Sequence, residues 1–232
     1  MIGLMWLALI VQAKTYIVCA GIADYPGTRN DLRVSANDAR TIARIFEKNN
    51  HAEGVCYTNN EATRANVLSA MREVFAKAGA DDVVLFFFSG HGIPGGLVCH
   101  DGFLYYHQVF QAMSQCRSQN KVVIADACFS GKMRNTRRRD NGYTKLNAML
   151  FLSSRSNEKS MEMPRQTGFG NSLFTAYLER GLRGGADTDR NRTITAKELY
   201  DYVHNGVVKL SGGIQHPVMW GNFDGNMPII KW

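Results

Sequence analysis

The chain has 232 residues, of which 45% are hydrophobic, and it carries a formal net charge of +7 at pH 7. This length suits one large domain or two small ones, and the apolar content excludes an intrinsically disordered chain. A positive charge favours acidic partners such as nucleic acid. Much of the excess, however, lies in one stretch with no interleaved aromatic residue before Tyr143, which indicates a solvated loop rather than a nucleic-acid site. Its basic residues are Lys132, Arg134, Arg137, Arg138, Arg139 and Lys145.

The first 13 residues, MIGLMWLALIVQA, are apolar and end on small residues. This pattern predicts a secretory signal peptide, although the positively charged n-region is missing. The segment is too short to span a bilayer, which takes about 20 residues, so no membrane span is predicted. If the segment is a signal peptide, the protein is periplasmic or secreted; otherwise it is cytoplasmic.

The rest of the chain predicts strands that alternate with helices, and therefore an α/β fold with a mostly parallel central sheet and helices on both faces. The predicted strands are KTYIVCAGIADY, GVCYT, DDVVLFFFSG, KVVIADA and LNAMLFLSS. The predicted helices are NDARTIARIFEKN, TRANVLSAMREVFAKAG, HQVFQAMSQC, NSLFTAYLERGL and AKELYDYVHNGVVKL. Gly79 is expected to end the second helix. We predict a single domain over residues 14–232, with the basic loop at about 131–145 between two strands.

Two of the buried strands end on residues that can do chemistry. VVLFFF runs into SGHG (89–92), and KVVIA runs into DAC (126–128). Because ligands bind at the carboxyl ends of parallel strands, His91 and Cys128 are expected at the same edge of the sheet. An imidazole can take the proton of a thiol during nucleophilic attack, and the N–H groups of Gly92 and Cys128 can stabilise an oxyanion. The pattern therefore predicts an acyl-transfer site.

The motifs FFFSGHG and VVIADACFSG resemble those of the caspase-like cysteine peptidases, specifically the bacterial metacaspase and paracaspase branch. The resemblance extends over most of residues 15–230, where GTRNDLRVSANDA, NEKSME and ADTDRNRTITAKELYDYV are similar to further parts of the family. It implies a caspase-like fold, with His91 as the general base, Cys128 as the nucleophile, and Gly92 and Cys128 as oxyanion donors. It implies no organic cofactor. Some metacaspases require calcium, so calcium activation stays open.

The resemblance also implies a substrate preference. Asp126 lies two residues before Cys128, so the two side chains are expected on the same side of an extended strand. In metacaspases and paracaspases, the aspartates that match Asp126 and Asp38 bind an Arg or Lys before the scissile bond. Glu158 is a third acidic candidate for this pocket. The alternative for Asp38 is a carboxylate that complements the dipole of a helix N-terminus.

The expected substrates are thus proteins or peptides with Arg or Lys before the scissile bond, and self-cleavage is expected in the basic loop. One alternative is an Asp-specific caspase-type peptidase, for which Arg33 and Arg155 are the candidate pocket residues. Another is a catalytically silent caspase-like scaffold that binds peptides. A nucleic-acid-binding domain is a weaker third alternative, and it predicts salt-sensitive binding to DNA. The sequence leaves the oligomeric state open.

The segment DTDRNRTITAKE has the acidic spacing of an EF-hand loop, with Arg192 at the sixth position, which needs glycine. The residues at positions one, three, five and twelve are Asp187, Asp189, Asn191 and Glu198. The arginine favours a degenerate loop, and Thr195 with Glu198 also forms a capping box for the next helix. The five cysteines form no CxxC pair, which argues against a zinc site. No metal site is therefore predicted.

Overall fold

The computed structural model describes residues 13–49, 52–127, 146, 148–154 and 170–231. Its central sheet has six strands, which are numbered in chain order. From one edge of the sheet to the other they are Val218–Gly221 (β10), Ala148–Leu152 (β8), Asn120–Ala127 (β7), Val83–Gly90 (β3), Thr15–Gly21 (β1) and Ala52–Thr58 (β2). Strands β2, β1, β3, β7 and β8 are parallel, and β10 is antiparallel to β8. The predicted mostly parallel sheet is confirmed.

The α-helices of the described ranges correspond to the predicted ones. They are Ser35–Glu47 (α1), Arg64–Phe75 (α2), Tyr106–Ser114 (α3), Leu173–Arg180 (α4) and Ala196–Leu210 (α5). The prediction that Gly79 ends α2 is wrong, because the helix ends at Phe75. The N–H groups of Lys77 and Ala78 reach back only three residues, so the chain tightens out of the α-helix before Gly79. The Gly79 N–H instead donates to Asp82 Oδ2 at 2.8 Å.

Helices cover both faces of the sheet, as predicted. On one face, Val18, Phe86 and Phe88 pack in a core with residues of α2 and α3. On the other face, Leu85 and Phe87 pack with residues of α1, α4 and α5. A strand buried on both faces needs apolar side chains in both directions, which explains the continuous run in β3.

Several short strands were not predicted. Besides β10, they are Gly92–Ile93 (β4), Gly96–Cys99 (β5), Gly102–Tyr105 (β6), Thr193–Thr195 (β9) and Pro228–Lys231 (β11). Strands β4, β5 and β6 form an antiparallel ribbon, and β9 pairs with β11. The ribbon begins directly after His91, so it lies next to the carboxyl end of β3. None of the helices among the described residues combines the length and the apolar composition that a membrane span requires.

Candidate active site

The register of the two central strands determines which chain positions meet at the sheet edge. In the parallel pair β3–β7, Ser89 pairs with Asp126 and Gly90 with Ala127. His91 comes directly after Gly90 and is partly exposed. Cys128 comes directly after Ala127 in the sequence but lies outside the described residues. Also outside the described residues are Glu158, Arg155 and the basic loop at 131–145.

The loop between β1 and α1 holds the His91 side chain. The imidazole Nε2 lies 2.7 Å from the backbone oxygen of Asn30. Because a carbonyl oxygen can only accept, Nε2 carries the proton and Nδ1 of the neutral ring has a free lone pair. The backbone N–H of His91 donates to the Tyr25 hydroxyl at 2.9 Å, and the two rings lie 4.8 Å apart. Gly92, the next residue, begins β4 and pairs with Leu97.

The structure brings Asp38 and Asp126 together beneath this edge. Their exposed fractions are 0% and 4%. Asp38 accepts hydrogen bonds from the Ser89 hydroxyl at 2.8 Å and from the Ser172 N–H at 3.0 Å. Asp126 accepts from the Ser172 hydroxyl and from the Thr175 hydroxyl, the latter at 3.1 Å. Ser172 therefore bridges the two carboxylates.

Burial and like charge act on this pair in the same direction. Burial raises the pKa of Asp38 well above its ordinary value, and the charge of Asp126 raises it further, while hydrogen bonds from Ser89 and Ser172 partly oppose these effects. Burial and the neighbouring charge thus both favour the protonated form of the Asp38 carboxyl. Asp38 also lies in the first turn of α1, so the helix N-terminal role considered for it is compatible with this geometry.

Ser172 is fixed by its own helix. It is the N-cap of α4, and its hydroxyl accepts the N–H of Thr175 at 3.1 Å. The adjacent Asn171 links α4 to α1, because its side-chain oxygen accepts from Asn37 at 2.8 Å and from Thr41 at 3.2 Å. Sequence patterns pointed to Asp38 and Asp126 but not to Ser172, although the order NSLF before a helical run is a recognisable N-cap signal. Arg33, a candidate for an Asp-specific pocket, is exposed, whereas the carboxylate pair is buried.

The described cysteines are poor candidates for a nucleophile. Cys19, Cys56, Cys99 and Cys116 are all free thiols. Burial is the main cause that raises each of their pKa values, to about 11 for Cys56 and to about 12 for Cys99. A buried thiol with a raised pKa is a poor nucleophile at neutral pH.

The EF-hand-like segment forms a separate acidic cluster. Oxygen atoms of Asp187, Asp189 and Glu198 lie within 4.8 Å of one another. The turn forms even though Arg192 stands at the glycine position, where it adopts a φ of 64°. The carboxylates accept hydrogen bonds from the loop itself, such as those from Arg192 N to Asp187 and from Thr195 N to Glu198. These bonds account for the cluster as part of the loop, and the absence of a metal site there stays a prediction.

Comparisons with known proteins agree with this architecture. A family model described as the caspase domain matches residues 13–226. The fold is similar to that of protein GSU0716 from Geobacter sulfurreducens, with a TM-score of 0.69 and 16% sequence identity over 91% of this chain and 94% of that one. At this identity the similarity concerns the fold alone. A search of curated protein sequences found no significant match.

Proposed function

Because the chain belongs to the caspase family, we propose that it is a cysteine endopeptidase that hydrolyses peptide bonds after Arg or Lys through His91 and Cys128. The observation that carries this proposal is the β3–β7 register, in which Gly90 pairs with Ala127. The two residues that directly precede His91 and Cys128 in the sequence are therefore neighbours at the carboxyl edge of the sheet, where such folds bind their ligands.

The first half of the proposed reaction forms a thioester. Nδ1 of His91 accepts the thiol proton of Cys128 while Sγ bonds to the carbonyl carbon of the scissile peptide. The N–H groups of Gly92 and Cys128 stabilise the negative charge that develops on the carbonyl oxygen. The tetrahedral intermediate then collapses with cleavage of the C–N bond, and the imidazolium of His91 gives its proton to the leaving amine.

The second half of the reaction restores the enzyme. A water molecule attacks the thioester carbonyl and gives a proton to His91, the C–S bond breaks, and the sulfur of Cys128 regains its proton. What supports His91 as the base is its contact with Asn30, since the bond from Nε2 to the carbonyl oxygen leaves Nδ1 free to accept. Every proton in this scheme moves between side chains, substrate and water, so no organic cofactor is needed.

The proposed specificity rests on the buried carboxylate pair. Asp38 and Asp126 are almost fully buried, and their hydrogen-bond donors include the neutral groups of Ser89, Ser172 and Thr175. A guanidinium or ammonium group can replace the proton held by such a pair, whereas an aspartate side chain is rejected by like-charge repulsion. We propose Glu158 as a further acidic residue of the pocket. The same preference leads us to propose self-cleavage within the basic loop at 131–145, which contains six Lys and Arg side chains between Lys132 and Lys145.

The test is hydrolysis of short fluorogenic peptides that end in Arg, Lys or Asp, each measured with and without calcium. We expect turnover after Arg and Lys, loss of at least about 1,000-fold in the Cys128→Ala protein, and a band shift from self-cleavage only in the wild type; the magnitude is typical for removal of a catalytic nucleophile. Preference for Asp would overturn the pocket assignment. Tight binding of Arg peptides without turnover would indicate the silent scaffold, and the calcium arm shows whether the ion activates the enzyme.

A further inference from the structure

We propose that Tyr25 is a positioning residue for His91, an inference that rests on the proposed peptidase function. Tyr25 lies in the loop between β1 and α1, and its side chain is 5% exposed. Its hydroxyl accepts the backbone N–H of His91 at 2.9 Å and donates to the backbone oxygen of Val98 at 3.0 Å. One buried hydroxyl thus connects the end of β3 with β5, and it uses its single proton and one of its lone pairs.

The ring of Tyr25 restrains the imidazole directly. The ring centroids of Tyr25 and His91 lie 4.8 Å apart with an interplanar angle of 41°. The bond from Nε2 to Asn30 limits rotation of the same imidazole from another direction. Because Tyr25 and Asn30 belong to one loop, that loop fixes the position of the His91 backbone, the orientation of its ring and its tautomer together.

The environment of Tyr25 keeps it in a single state. Burial raises the pKa of its phenol, so the hydroxyl stays protonated and remains a donor to Val98. The Tyr25 N–H donates to Asp31 Oδ1 at 3.0 Å, which closes the loop on itself. The loop is further tied to the chain beyond β2, because the Ala23 N–H donates to Asn59 Oδ1 at 3.0 Å. These bonds hold Tyr25 in place before any substrate is bound.

The glycine before His91 makes this arrangement possible. A Cβ atom on Gly90 would lie 2.7 Å from the Tyr25 hydroxyl oxygen, closer than such contacts occur in proteins. Gly90 does not have a positive φ, so its role is to leave room rather than to allow an unusual backbone conformation. The SGHG motif therefore has a steric reason for glycine at this position, and that reason involves Tyr25.

Tyr25 acts through His91, so its loss should affect proton transfer and not substrate affinity. Tyr25→Phe keeps the ring contact and removes the hydroxyl. We expect kcat for an Arg peptide to fall about 10- to 100-fold with KM within about twofold, since small errors in the placement of a catalytic group cost up to about 100-fold in rate. The matched control is Tyr106→Phe, because Tyr106 has a buried hydroxyl without a hydrogen-bond partner among the described residues. We expect Tyr106→Phe to have the same kcat and KM as the wild type.

A second readout does not depend on peptide turnover. The alkylation rate of Cys128 by iodoacetamide, followed by mass spectrometry, reports activation of the thiol by His91. We expect His91→Ala to slow this rate most, Tyr25→Phe to slow it by a smaller factor, and Tyr106→Phe to leave it unchanged. If the wild type does not cleave peptides, the proposed function fails while alkylation still tests Tyr25. The inference is overturned if Tyr25→Phe has the same kcat and the same alkylation rate as the wild type, or if the substitution changes only KM.

The pair Tyr25 and Gly90 supplies a further check that a general loss of stability cannot imitate. Gly90→Ala should lower kcat in the wild-type background, because its Cβ displaces the Tyr25 oxygen. In the Tyr25→Phe background that oxygen is absent. The fall in kcat caused by Gly90→Ala should therefore be at least about threefold smaller in that background. An equal fall in kcat in both backgrounds would contradict the proposed contact between Gly90 and Tyr25.

Discussion

The carboxylates of Asp38 and Asp126 are joined through Ser172, which donates its backbone N–H to Asp38 at 3.0 Å and its hydroxyl to Asp126. The two aspartates come from different elements, α1 and β7. Two buried carboxylates in one hydrogen-bonded unit resist ionising together, which is why the like charge of Asp126 adds to the effect of burial on the pKa of Asp38. The proposed cationic substrate side chain would relieve this repulsion, and its binding would then be coupled to proton release.

The affinity for Arg peptides should therefore depend on pH. Below the raised pKa of Asp38, the incoming guanidinium must displace a proton, so the peptide Kd rises as the pH falls, by up to about tenfold per pH unit for one linked proton. We expect Asp38→Asn to bind weakly at every pH and to lose this dependence. Direct binding to the Cys128→Ala protein separates affinity from catalysis. The control is a peptide with neutral Gln in place of Arg; a Kd for Arg peptides that is constant from about pH 5 to about pH 8 would contradict the coupling.

Ser172 should matter for stability as well as for the pocket. Ser172→Ala removes the hydroxyl that accepts the Thr175 N–H as an N-cap and that donates a hydrogen bond to Asp126. We expect the free energy of unfolding in urea to fall by about 1–3 kcal/mol, because the helix loses its cap and the buried Asp126 carboxylate loses one of its donors. Ser172→Thr keeps the hydroxyl and is the matched control. Equal stability of Ser172→Ala and the wild type would show that other donors replace this hydroxyl.

The long buried strands could be predicted from the sequence because burial on both faces imposes a continuous apolar run, as in β3 and β7. The α5 helix was predicted with its bounds because the Thr195–Glu198 capping box precedes an amphipathic segment. Strands such as β4 and β10 were missed, since two to four residues carry no periodicity and β10 pairs with a strand far away in the chain. Short elements are determined by the partner they meet in the folded protein.

A similar distinction applies to the site. His91, Asp38 and Asp126 could be proposed as site residues from the sequence because their side-chain chemistry stands out within family-like motifs. Asn30 could not, since it contributes a backbone oxygen that any residue type would supply. Tyr25 was missed for a different reason: its hydroxyl contacts backbone atoms of His91 and Val98, which are remote in the sequence. The contacts that Tyr25 and Asn30 make with His91 are thus visible only in the folded structure.

Gly21 determines how closely α1, the helix of Asp38, approaches β1. A Cβ on Gly21 would lie 2.3 Å from the Ser35 backbone oxygen and 2.6 Å from the Ala39 Cβ, and backbone cannot move aside cheaply. We expect Gly21→Ala to destabilise the protein by about 1–3 kcal/mol in urea denaturation and to weaken binding of Arg peptides, because α1 must shift. Gly79→Ala is the control, since the atom nearest to a Cβ on Gly79 would be Asp82 Oδ2, at 3.4 Å. Equal effects of the two substitutions would mean that α1 adapts freely.

Thr195 and Glu198 begin α5 with reciprocal bonds. The Thr195 hydroxyl accepts the Glu198 N–H at 3.3 Å, and the Glu198 carboxylate accepts the Thr195 N–H at 3.0 Å. We expect Thr195→Ala to lower the free energy of unfolding by about 1 kcal/mol, the usual contribution of a cap, while Thr195→Ser retains most of it. A Thr195→Ala protein as stable as the wild type would show that the cap does not stabilise α5.

The same capping pair makes stability depend on pH in a defined direction. Burial raises the pKa of Glu198, but hydrogen bonds from Thr195 and Thr188 outweigh it and leave the pKa below its ordinary value. A carboxylate with a lowered folded-state pKa stabilises the fold above its unfolded pKa of about 4.3, and this stabilisation is lost as the pH falls through the folded value. We therefore expect Glu198→Gln to be less stable than the wild type at neutral pH, and the difference in urea midpoint to shrink below about pH 4. A difference that grows on acidification would mean that the neutral acid, not the carboxylate, is the form held by the Thr188 and Thr195 donors.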